Sequence, residues 1–576
     1  MKKKLLYFGI AIIPALLCLV FICYFGTNVL YWWDEWTMVQ LTEKVNDSGL
    51  NFTDLSALHN EHRIFFPRLL YLAVVYLSNF SSIAQMLVSF GMLSLITVVL
   101  VNYIIQRDIT ESKKYFHIAL VSFFIYSLTQ WENLLWGFQI GFYMVLLFPV
   151  LSLYLLSLML QTKQINRKKY YFIAALLAAL IASFSSIQGL LVWITGAILM
   201  LFILKKKFFT SPYCIIWVII AISTWITYFH NYTSLGAHLE YSYNHPLNLL
   251  KYFFSLIGDV TSVNEFLLTP IIGVFITAFL VIACIIIWRR RQIPQFIFPL
   301  ALILNSLFIC GSIAIGRVGT ARPSRYTSYA IFIIIGLILI WMELKDKNQS
   351  RTIIKKLNKV LMIMLVISIP LAIWKGFWIG EQVKRDRAYR VYVLETIDIP
   401  LDNDSLFSHN EYQSVERLQK SVSFLKEHKY NLFHKPRYNI PEIMYDDNLG
   451  KINYDLLQLF PNTLYLTSDY LRVVQPIVTP DYYDQITSLY LDIDGQIFPL
   501  FYDKKKGRNQ KVNSIFQSFL LVDQPLDPEM KQDANASYDS AIALRSLSQG
   551  MHRARIKALA KDGSYYIASG DMIFEF

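Results

Sequence analysis

The sequence predicts an α-helical polytopic membrane protein of about eleven spans, followed by a C-terminal β-rich domain. Three observations support this prediction. Hydrophobic residues make up 55% of the 576 residues and charged residues only 16%, whereas soluble chains carry about a quarter charged residues. Long apolar blocks with basic clusters between them continue to about residue 380. From residue 381 polar and apolar residues alternate, so we expect a membrane region, 1–380, and a soluble domain, 381–576.

The first apolar block follows Lys2, Lys3 and Lys4. It is too long for a signal peptide, which predicts a signal-anchor helix with its basic end in the cytoplasm. A spanning helix needs about 20 mostly apolar residues. Blocks of this kind occupy 5–29, 82–105, 115–135, 140–160, 170–186, 189–204, 213–230, 269–288, 293–315, 326–344 and 357–378.

Basic residues support this count, because they favour the cytoplasmic side of a membrane. Every even-numbered block ends in a basic cluster. The clusters lie at 107–114, 163–169, 205–207, 289–291 and 345–356. The short apolar segment 64–80 carries Pro67 and Arg68 near its start, and counting it as a span would place the clusters outside. We therefore expect it to lie along the outer membrane surface or to re-enter the membrane.

The net charge of +12 does not indicate nucleic-acid binding, because Lys and Arg sit in these topology-setting clusters. The odd number of spans predicts a protein of the cell membrane with a cytoplasmic N-terminus and an extracytoplasmic C-terminal domain. The five cysteines all lie in apolar segments, so no disulfide framework is expected.

The predicted first outer loop, 31–81, places Asp34 and Glu35 between Trp33 and Trp36. Tryptophans at a helix end serve as interfacial anchors. That role does not explain two adjacent carboxylates, since desolvation penalises charge there. A carboxylate in such surroundings suits proton abstraction from a hydroxyl group.

The same loop contains a cluster of ionisable residues, His59, Glu61, His62 and Arg63, with Arg68 shortly after it. Three interpretations remain open. The histidines and Glu61 have a spacing that metal ligands use, but one short cluster predicts no particular metal. As the solvated start of a surface helix the cluster needs no function. The third interpretation is that the loop orients a phosphate or a sugar, with Arg63 and Arg68 at the phosphate and with His59, Glu61, His62, Trp33 and Trp36 lining the cavity for a sugar or an acceptor.

Two further predicted outer turns are polar where the membrane pattern expects apolar residues. The first carries Trp131, Glu132, Asn133 and Gln139, and the second carries Gln188. Polar groups facing lipid unsatisfied would cost several kcal/mol each. These residues are therefore candidates for lining a water-accessible cavity for a sugar or an acceptor, although simple helix-connecting turns would also account for them.

The third polar outer segment carries three arginines within nine residues, Arg317, Arg322 and Arg325. The positive-inside rule disfavours them on this side. Because the planar guanidinium matches phosphate oxygens, they are candidates for binding a donor phosphate. The alternative is that each forms a salt bridge with Asp34, Glu35, Glu61 or Glu132.

The domain at 381–576 begins with a basic linking stretch and then a segment of helical periodicity at 414–427. Strand-like runs follow, with Asp494-Gly495 and Asp562-Gly563 as turns between strands. The runs are 463–467, 488–493, 496–502, 514–522, 541–545, 552–560 and 565–576. They predict a helical linker and a β-sandwich.

The layout resembles the GT-C class of integral-membrane glycosyltransferases, in particular protein O-mannosyltransferase-like enzymes. The resemblance rests on a long first outer loop opening with Asp34-Glu35, the surface helix after it, many spans and an outer C-terminal domain. It implies transfer of a sugar from a polyprenyl-phosphate donor to an extracytoplasmic cell-envelope glycan or lipid. Asp34 would be the catalytic base with Glu35 beside it, and no cofactor is implied.

Two other function classes remain open, a transporter or flippase of lipid-linked glycans and a polysaccharide polymerase. A transporter favours internal repeats and charges at mid-membrane. Here no repeat is evident and the ionisable groups lie at the outer ends of the blocks. The pattern therefore favours an enzyme over a transporter.

Overall fold

The structure is a computed structural model of the chain. It describes 2–30, 33–233, 237–261, 268–289, 291–344, 352–395 and 415–436, and beyond these 486–500, 550–561 and eight shorter strands. The chain divides into two compact units. The first contains Met1–Thr27 and Lys44–Gln382, and the second contains Asn28–Glu43 and Val383–Phe576.

The first unit is helical. Its helices in chain order are α1 (Lys2–Phe25), the end of α2 (Trp33–Ser48), α3 (Phe52–Ser56), α4 (Phe65–Ser78), α5 (Ser82–Ile105), α6 (Glu111–Ile125), α7 (Trp131–Leu135), α8 (Ile140–Gln161), α9 (Ile165–Ser183), α10 (Leu191–Leu204), α11 (Pro212–Phe229), α12 (Ala237–Asn244), α13 (Pro246–Gly258), α14 (Leu268–Arg289), α15 (Ile297–Arg317), α16 (Thr327–Glu343) and most of α17 (Thr352–Glu395). In the described part of the chain, nine helical segments are long and apolar enough to cross a membrane. The chain therefore has the composition of a multi-pass membrane protein.

The sequence predicted about eleven spans, whereas nine of the described helical segments are long and apolar enough to cross a membrane. The predicted block 115–135 forms α6, which has only 15 residues, followed by a 3₁₀ turn and the short α7. Most of the block at 170–186 lies in α9, whose 19 residues include the basic residues Arg167, Lys168 and Lys169 in the first turns. The polar turn after α6 and the charged start of α9 shorten the apolar length of these two segments.

The segment predicted to lie along the membrane surface is confirmed as a short helix. It forms α4, an apolar helix of 14 residues, below the length needed to cross a bilayer. Asn79 ends it in the left-handed conformation with φ of 51°, and Ser81 then caps α5 by accepting a hydrogen bond from the Ala84 amide. Its position at a membrane surface stays a prediction.

Helix pairs pack side by side along the unit, notably α8 with α9, α13 with α14 and α15 with α16. Trp193 on α10 and Trp217 on α11 are fully buried, with ring centroids 4.6 Å apart. Gly196 permits this approach, because a Cβ there would lie 2.4 Å from the Trp217 ring. Burial of large aromatic side chains contributes strongly to packing at such a contact.

Short 3₁₀ turns join several of the helices, and the packing of these turns determines where polar side chains meet. Five of them concern the polar segments, Leu128–Gln130, Gly137–Gln139, Ile187–Leu190, Asp259–Thr261 and Ser324–Tyr326. The turn at 324–326 packs against α7 and against the turn at 128–130, which in turn packs against the turn at 259–261. Segments far apart in sequence therefore lie side by side.

The second unit contains the start of α2, the end of α17, α18 (Val415–Glu427) and the described C-terminal strands. The predicted helix at 414–427 is confirmed as α18, with Leu418, Val422 and Leu425 buried. Glu43 on α2 forms an ion pair with Lys420 on α18 at 3.0 Å.

The first unit also contains a hairpin of two short strands, β1 (Leu58–His59) and β2 (His62–Arg63). The described strands of the second unit form one larger sheet and two small ones. The strands are β3 (Gly450–Lys451), β4 (Leu457–Gln458), β5 (Leu464–Leu466), β6 (Tyr470–Val473), β7 (Ile477–Val478), β8 (Ile486–Ile493), β9 (Gln496–Leu500), β10 (Ser540–Ala543), β11 (Met551–Ala560), β12 (Tyr565–Ile567) and β13 (Met572–Glu575). The larger sheet has the order β3-β12-β11-β8-β9, with β13 also paired to β11. The predicted turn at Asp494-Gly495 is confirmed, because both residues have positive φ, 51° and 88°, between β8 and β9.

An ion pair and a side-chain hydrogen bond tie β11 to the β8–β9 hairpin. Lys557 and Asp492 are both almost fully buried, with 2.8 Å between Nζ and Oδ2. His552 contacts Asp494 at 2.6 Å. The Arg553 amide donates to Asp494, and this bond together with the one from His552 lowers the pKa of that carboxyl group. The predicted strand 514–522 and the turn Asp562-Gly563 lie outside the described residues, and the sandwich arrangement stays a prediction.

Candidate functional site

The predicted polar segments of the first unit meet around the loop Arg317–Tyr326, here called the arginine loop. It follows α15 and ends in the 3₁₀ turn that opens α16. Gly319 has φ of 92°, a left-handed conformation that lets the loop turn back. Each of its three arginines contacts a different carboxylate, Glu61, Asp259 or Glu132.

Arg317 pairs with Glu61, at the tip of the hairpin formed by β1 (Leu58–His59) and β2 (His62–Arg63). Its Nη2 donates to Oε2 of Glu61 at 3.2 Å. The two side chains are 35% and 25% exposed, the most open of the three pairs. Asn60 has φ of 50° in the turn of the hairpin, a conformation that asparagine tolerates well. An exposed pair of this kind exchanges partners at little cost.

Arg63 and Arg68 hold the hairpin in place through main-chain carbonyl groups. The Arg63 guanidinium donates to the carbonyls of Tyr228 at 2.7 Å, of Ser56 at 2.8 Å and of His230. Arg68 is buried, donates to Ala57 O at 2.5 Å and also bonds another carbonyl of the same loop. Burial lowers the pKa of Arg68 to about 10, although Asp54 favours the charged form. Their predicted contact with a phosphate stays a prediction.

Arg325 pairs with Glu132 on α7. The Glu132 side chain is 5% exposed and accepts hydrogen bonds from the Arg325 guanidinium and from the amide of the same residue at 3.2 Å. Asn133 donates to the Arg325 carbonyl at 2.8 Å and to Ser328 Oγ at 2.7 Å. The Ser328 hydroxyl in turn donates to Gln130 at 2.7 Å. Together these bonds join the α7 turn to the arginine loop.

Arg322 pairs with Asp259, which follows α13. Its Nε donates to Oδ2 at 2.8 Å and its Nη2 to Oδ1 at 3.2 Å, a bidentate geometry. Burial raises the pKa of Asp259, while Arg322 opposes that rise. Lys375 on α17 also interacts electrostatically with Asp259. Asp259 and Lys375 had not been predicted as site residues.

The remaining residues of this region lie beside the hairpin. The ring of His59 lies 5.1 Å from that of Phe138, in the turn after α7. His62 Nδ1 is 3.4 Å from Ser186 Oγ, and Ser186 also bonds Gln188. The hairpin therefore contacts both of the polar turns that the sequence singled out.

Gln139 is completely buried at the start of α8, and neither atom of its amide has a hydrogen-bond partner within the described residues. Trp131 is partly exposed at the start of α7. In the part of the chain that the structure describes, no three His, Cys, Asp or Glu side chains meet as metal ligands.

Asp34 and Glu35 lie in the first turn of α2, within the second unit. Glu35 and Trp36 are buried and Asp34 is partly buried. Acidic residues stabilise a helix N-terminus, so their position has a structural explanation beside the catalytic one. The side chain of Trp33 lies outside the described residues. The Asp34-Glu35 pair and the arginine loop thus belong to different units.

Lys375 could have been identified from the sequence as a candidate site residue. A lysine within an apolar spanning helix is expensive and is a functional candidate by default. Asp259 had no such signal, because it follows a short amphipathic helix between two predicted spans.

No family model, curated protein or solved structure matches this chain.

Proposed function

We propose that the chain is a membrane glycosyltransferase of the GT-C kind. It moves a sugar from a polyprenyl-phosphate donor to a cell-envelope glycan or lipid acceptor outside the cytoplasm. The proposal rests on one observation, that several polar segments meet at the arginine loop. The first-loop hairpin and the α7 turn both contact this loop directly through carboxylate–arginine pairs. These contacts bring together, at one loop, polar residues from segments far apart in sequence, as a shared polar site requires.

Asp34 and the arginines have different roles in the proposed reaction. The acceptor hydroxyl oxygen attacks the anomeric carbon while Asp34 takes its proton. The bond from that carbon to the phosphate oxygen breaks, and the polyprenyl phosphate leaves with the electron pair. Arginines directed at this phosphate stabilise the negative charge that develops on it.

Among the three loop arginines, Arg317 is the one best placed for the leaving phosphate. Its pair with Glu61 is the most exposed, so a phosphate can replace the carboxylate at small cost. Arg325 holds a buried carboxylate and contributes to the loop's position. We assign Arg63 and Arg68 to positioning of the hairpin, because their guanidinium groups bond main-chain carbonyls.

The proposed topology places the N-terminus in the cytoplasm and the arginine loop and the second unit outside. It requires α6 and α9 to cross as well, since the basic clusters at 107–114, 163–169 and 205–207 would otherwise not all face the same side. The 19 residues of α9 span roughly 28 Å, close to the hydrocarbon thickness.

The topology is tested with single cysteines in a background without the five native ones. In intact cells, an impermeant thiol reagent should label cysteines replacing Ser48, Thr233 and Ser540. Cysteines replacing Ser112 and Ser350 should react only after permeabilisation. Labelling of Ser112→Cys in intact cells would mean that α4 crosses the membrane and would overturn this topology.

The activity is tested with purified protein in detergent, radiolabelled polyprenyl-phosphate sugars and candidate acceptors. A transferase moves label to the acceptor without a sealed membrane. A flippase or transporter moves its substrate only across an intact bilayer, so it leaves the label on the donor in detergent. A polymerase is distinguished by products that lengthen with time. Absence of label on every acceptor, with translocation in vesicles, would replace the proposal with the transporter class.

A further inference from the structure

Helices α12 and α13 form the connection between α11 and α14. Both flanking helices are long and apolar enough to cross a membrane, whereas α12 and α13 have only 8 and 13 residues, too few to span a bilayer. A connection between two consecutive spans begins and ends at the same membrane surface. In the proposed topology that surface is the outer one, on which the arginine loop also lies.

The connection is attached to the arginine loop and to the helix before it. The Ser242 hydroxyl on α12 donates to the Ile315 carbonyl near the end of α15. The Tyr252 hydroxyl on α13 donates to the Ala321 carbonyl in the loop at 3.2 Å. The bidentate ion pair that follows α13 adds a third contact with the loop. The position of the loop therefore depends on the position of α12 and α13.

Helix α13 also packs directly on the first two turns of α14. A Cβ at Gly258 would lie 2.0 Å from the Thr269 carbonyl oxygen, and a Cβ at Gly273 would lie 1.8 Å from the Phe254 carbonyl oxygen. These distances leave no room for a side chain, so backbone lies against backbone. Contacts with α14 and α15 thus hold the connection at the ends of these helices that border the arginine loop.

A different side of α12 and α13 is apolar and exposed. It carries Leu239 and Tyr243, four residues apart on α12, and Leu247 and Leu250, three residues apart on α13. Each pair therefore shares a helix face. The four residues, here called the apolar edge, are between 51% and 88% exposed. Contact of apolar surface with water is unfavourable by about 25 cal/mol per Å², so an environment of lipid would stabilise this edge.

We infer that the apolar edge inserts into the outer leaflet at the boundary between headgroups and hydrocarbon. Lipid covers this surface because the connection starts and ends where two spans leave the bilayer, at the depth of that boundary. Leucines on one face of a short helix suit the acyl side of the boundary, and tyrosine is enriched at the headgroup level. The two helices then hold the arginine loop at the depth of the lipid phosphates. The choice of the outer leaflet rests on the proposed topology, whereas insertion at an interface does not.

Insertion is tested on the full-length protein in liposomes of phosphatidylcholine and phosphatidylglycerol. Single cysteines in a background without the native ones carry a nitroxide label. Electron paramagnetic resonance compares collisions of the label with oxygen, which concentrates in lipid, and with a nickel chelate, which stays in water. Asn244 and Asn248 are exposed polar residues of the same helices and provide matched controls. The ratio of oxygen to nickel collisions should be higher for Tyr243→Cys and Leu247→Cys than for these polar neighbours.

The anchoring role is tested with a label on Thr320→Cys in the exposed part of the arginine loop. Replacing Leu247 and Leu250 together with aspartate places two charges in the lipid boundary. The loop label should then move toward water, and its collision ratio should fall. Replacing Asn244 and Asn248 together with aspartate adds the same two charges outside the apolar edge and should leave the ratio unchanged. A double glutamine variant of the two leucines, which adds no charge, replaces the aspartate variant if that one does not fold.

Equal collision ratios within both neighbouring pairs, 243 with 244 and 247 with 248, would refute the insertion. Spin–spin broadening that disappears on dilution with unlabelled protein would show that a second copy covers the apolar edge, and it would also refute the insertion. A loop label that stays at the same depth in the double leucine variants would refute the anchoring role. The transferase proposal is decided separately, by label transfer in detergent, where no bilayer is present.

Discussion

Replacing Arg325 with alanine is expected to lower the free energy of unfolding of the first unit by about 3 kcal/mol. The reason is that Glu132, whose side chain is 5% exposed, would lose its cationic partner. Breaking a buried ion pair by removing one partner costs about 3–5 kcal/mol. We expect the lower end, because Arg325 is 26% exposed and water can partly replace it. Thermal unfolding of the purified variant in detergent, followed by size-exclusion chromatography, measures the loss.

Two further variants separate this structural effect from a direct role in catalysis. Adding Glu132→Gln to Arg325→Ala should restore most of the stability, because the remaining amide carries no charge. Arg317→Ala is the matched control, since its ion pair is exposed and pairs of that kind contribute about 0–1 kcal/mol. We expect Arg317→Ala to fold normally. Its turnover should fall as expected from a rise in the activation free energy of roughly 2–4 kcal/mol, the effect of removing one preorganised donor. An Arg325→Ala variant as stable as the unaltered protein would contradict the structural role.

Asp34→Asn is expected to lower transfer by about 10²–10⁴-fold while protein levels in the membrane stay normal. Asparagine matches aspartate in size and shape but cannot accept the proton of the acceptor hydroxyl. Asp34 is only partly buried, so an asparagine of the same size should fit in its place. Initial rates of label transfer at saturating donor and acceptor measure the effect.

Helix α2 also provides controls for Asp34. Glu35→Gln should cost less activity than Asp34→Asn, if Glu35 orients Asp34 and does not itself take the proton. Asp47→Asn changes an exposed carboxylate farther along α2 and should leave the rate unchanged. Near-normal turnover of Asp34→Asn would contradict the assignment of Asp34 as the catalytic base. An equal loss in all three variants would point to α2 as a whole and not to one carboxyl group.

Much of the fold could be predicted because hydrophobic length and periodicity are local properties. The helix at 65–78, the helix at 415–427 and the turn at Asp494-Gly495 follow from apolar spacing and turn chemistry. The number of apolar helices was less predictable, since a polar turn interrupts 115–135 and three basic residues open α9. Composition alone does not show how much of a block is apolar helix and how much is turn.

The sequence predicted which residues are candidates for the site, but it did not predict which of them contact each other. The unusual polar content of the loops singled out Glu61, Glu132 and the three arginines, and the two interpretations, phosphate binding and salt bridges, were left open. The structure pairs each arginine with a carboxylate and supplies Asp259, a partner that no local pattern indicated. Pairing depends on which loops meet in space, at separations in sequence of 63 to 256 residues.

The sequence by itself therefore determined a multi-pass helical chain with an appended β-rich region, because burial of apolar side chains follows local composition. It also determined that charged groups gather in a few loops, because lipid excludes them elsewhere. Only the tertiary structure decided that the hairpin at 58–63, the α7 turn and the arginine loop come together. It alone assigned Asp34 and Glu35 to the unit that carries the C-terminal strands. The physical reason is that long-range contacts between polar groups arise from helix packing, which no single segment encodes.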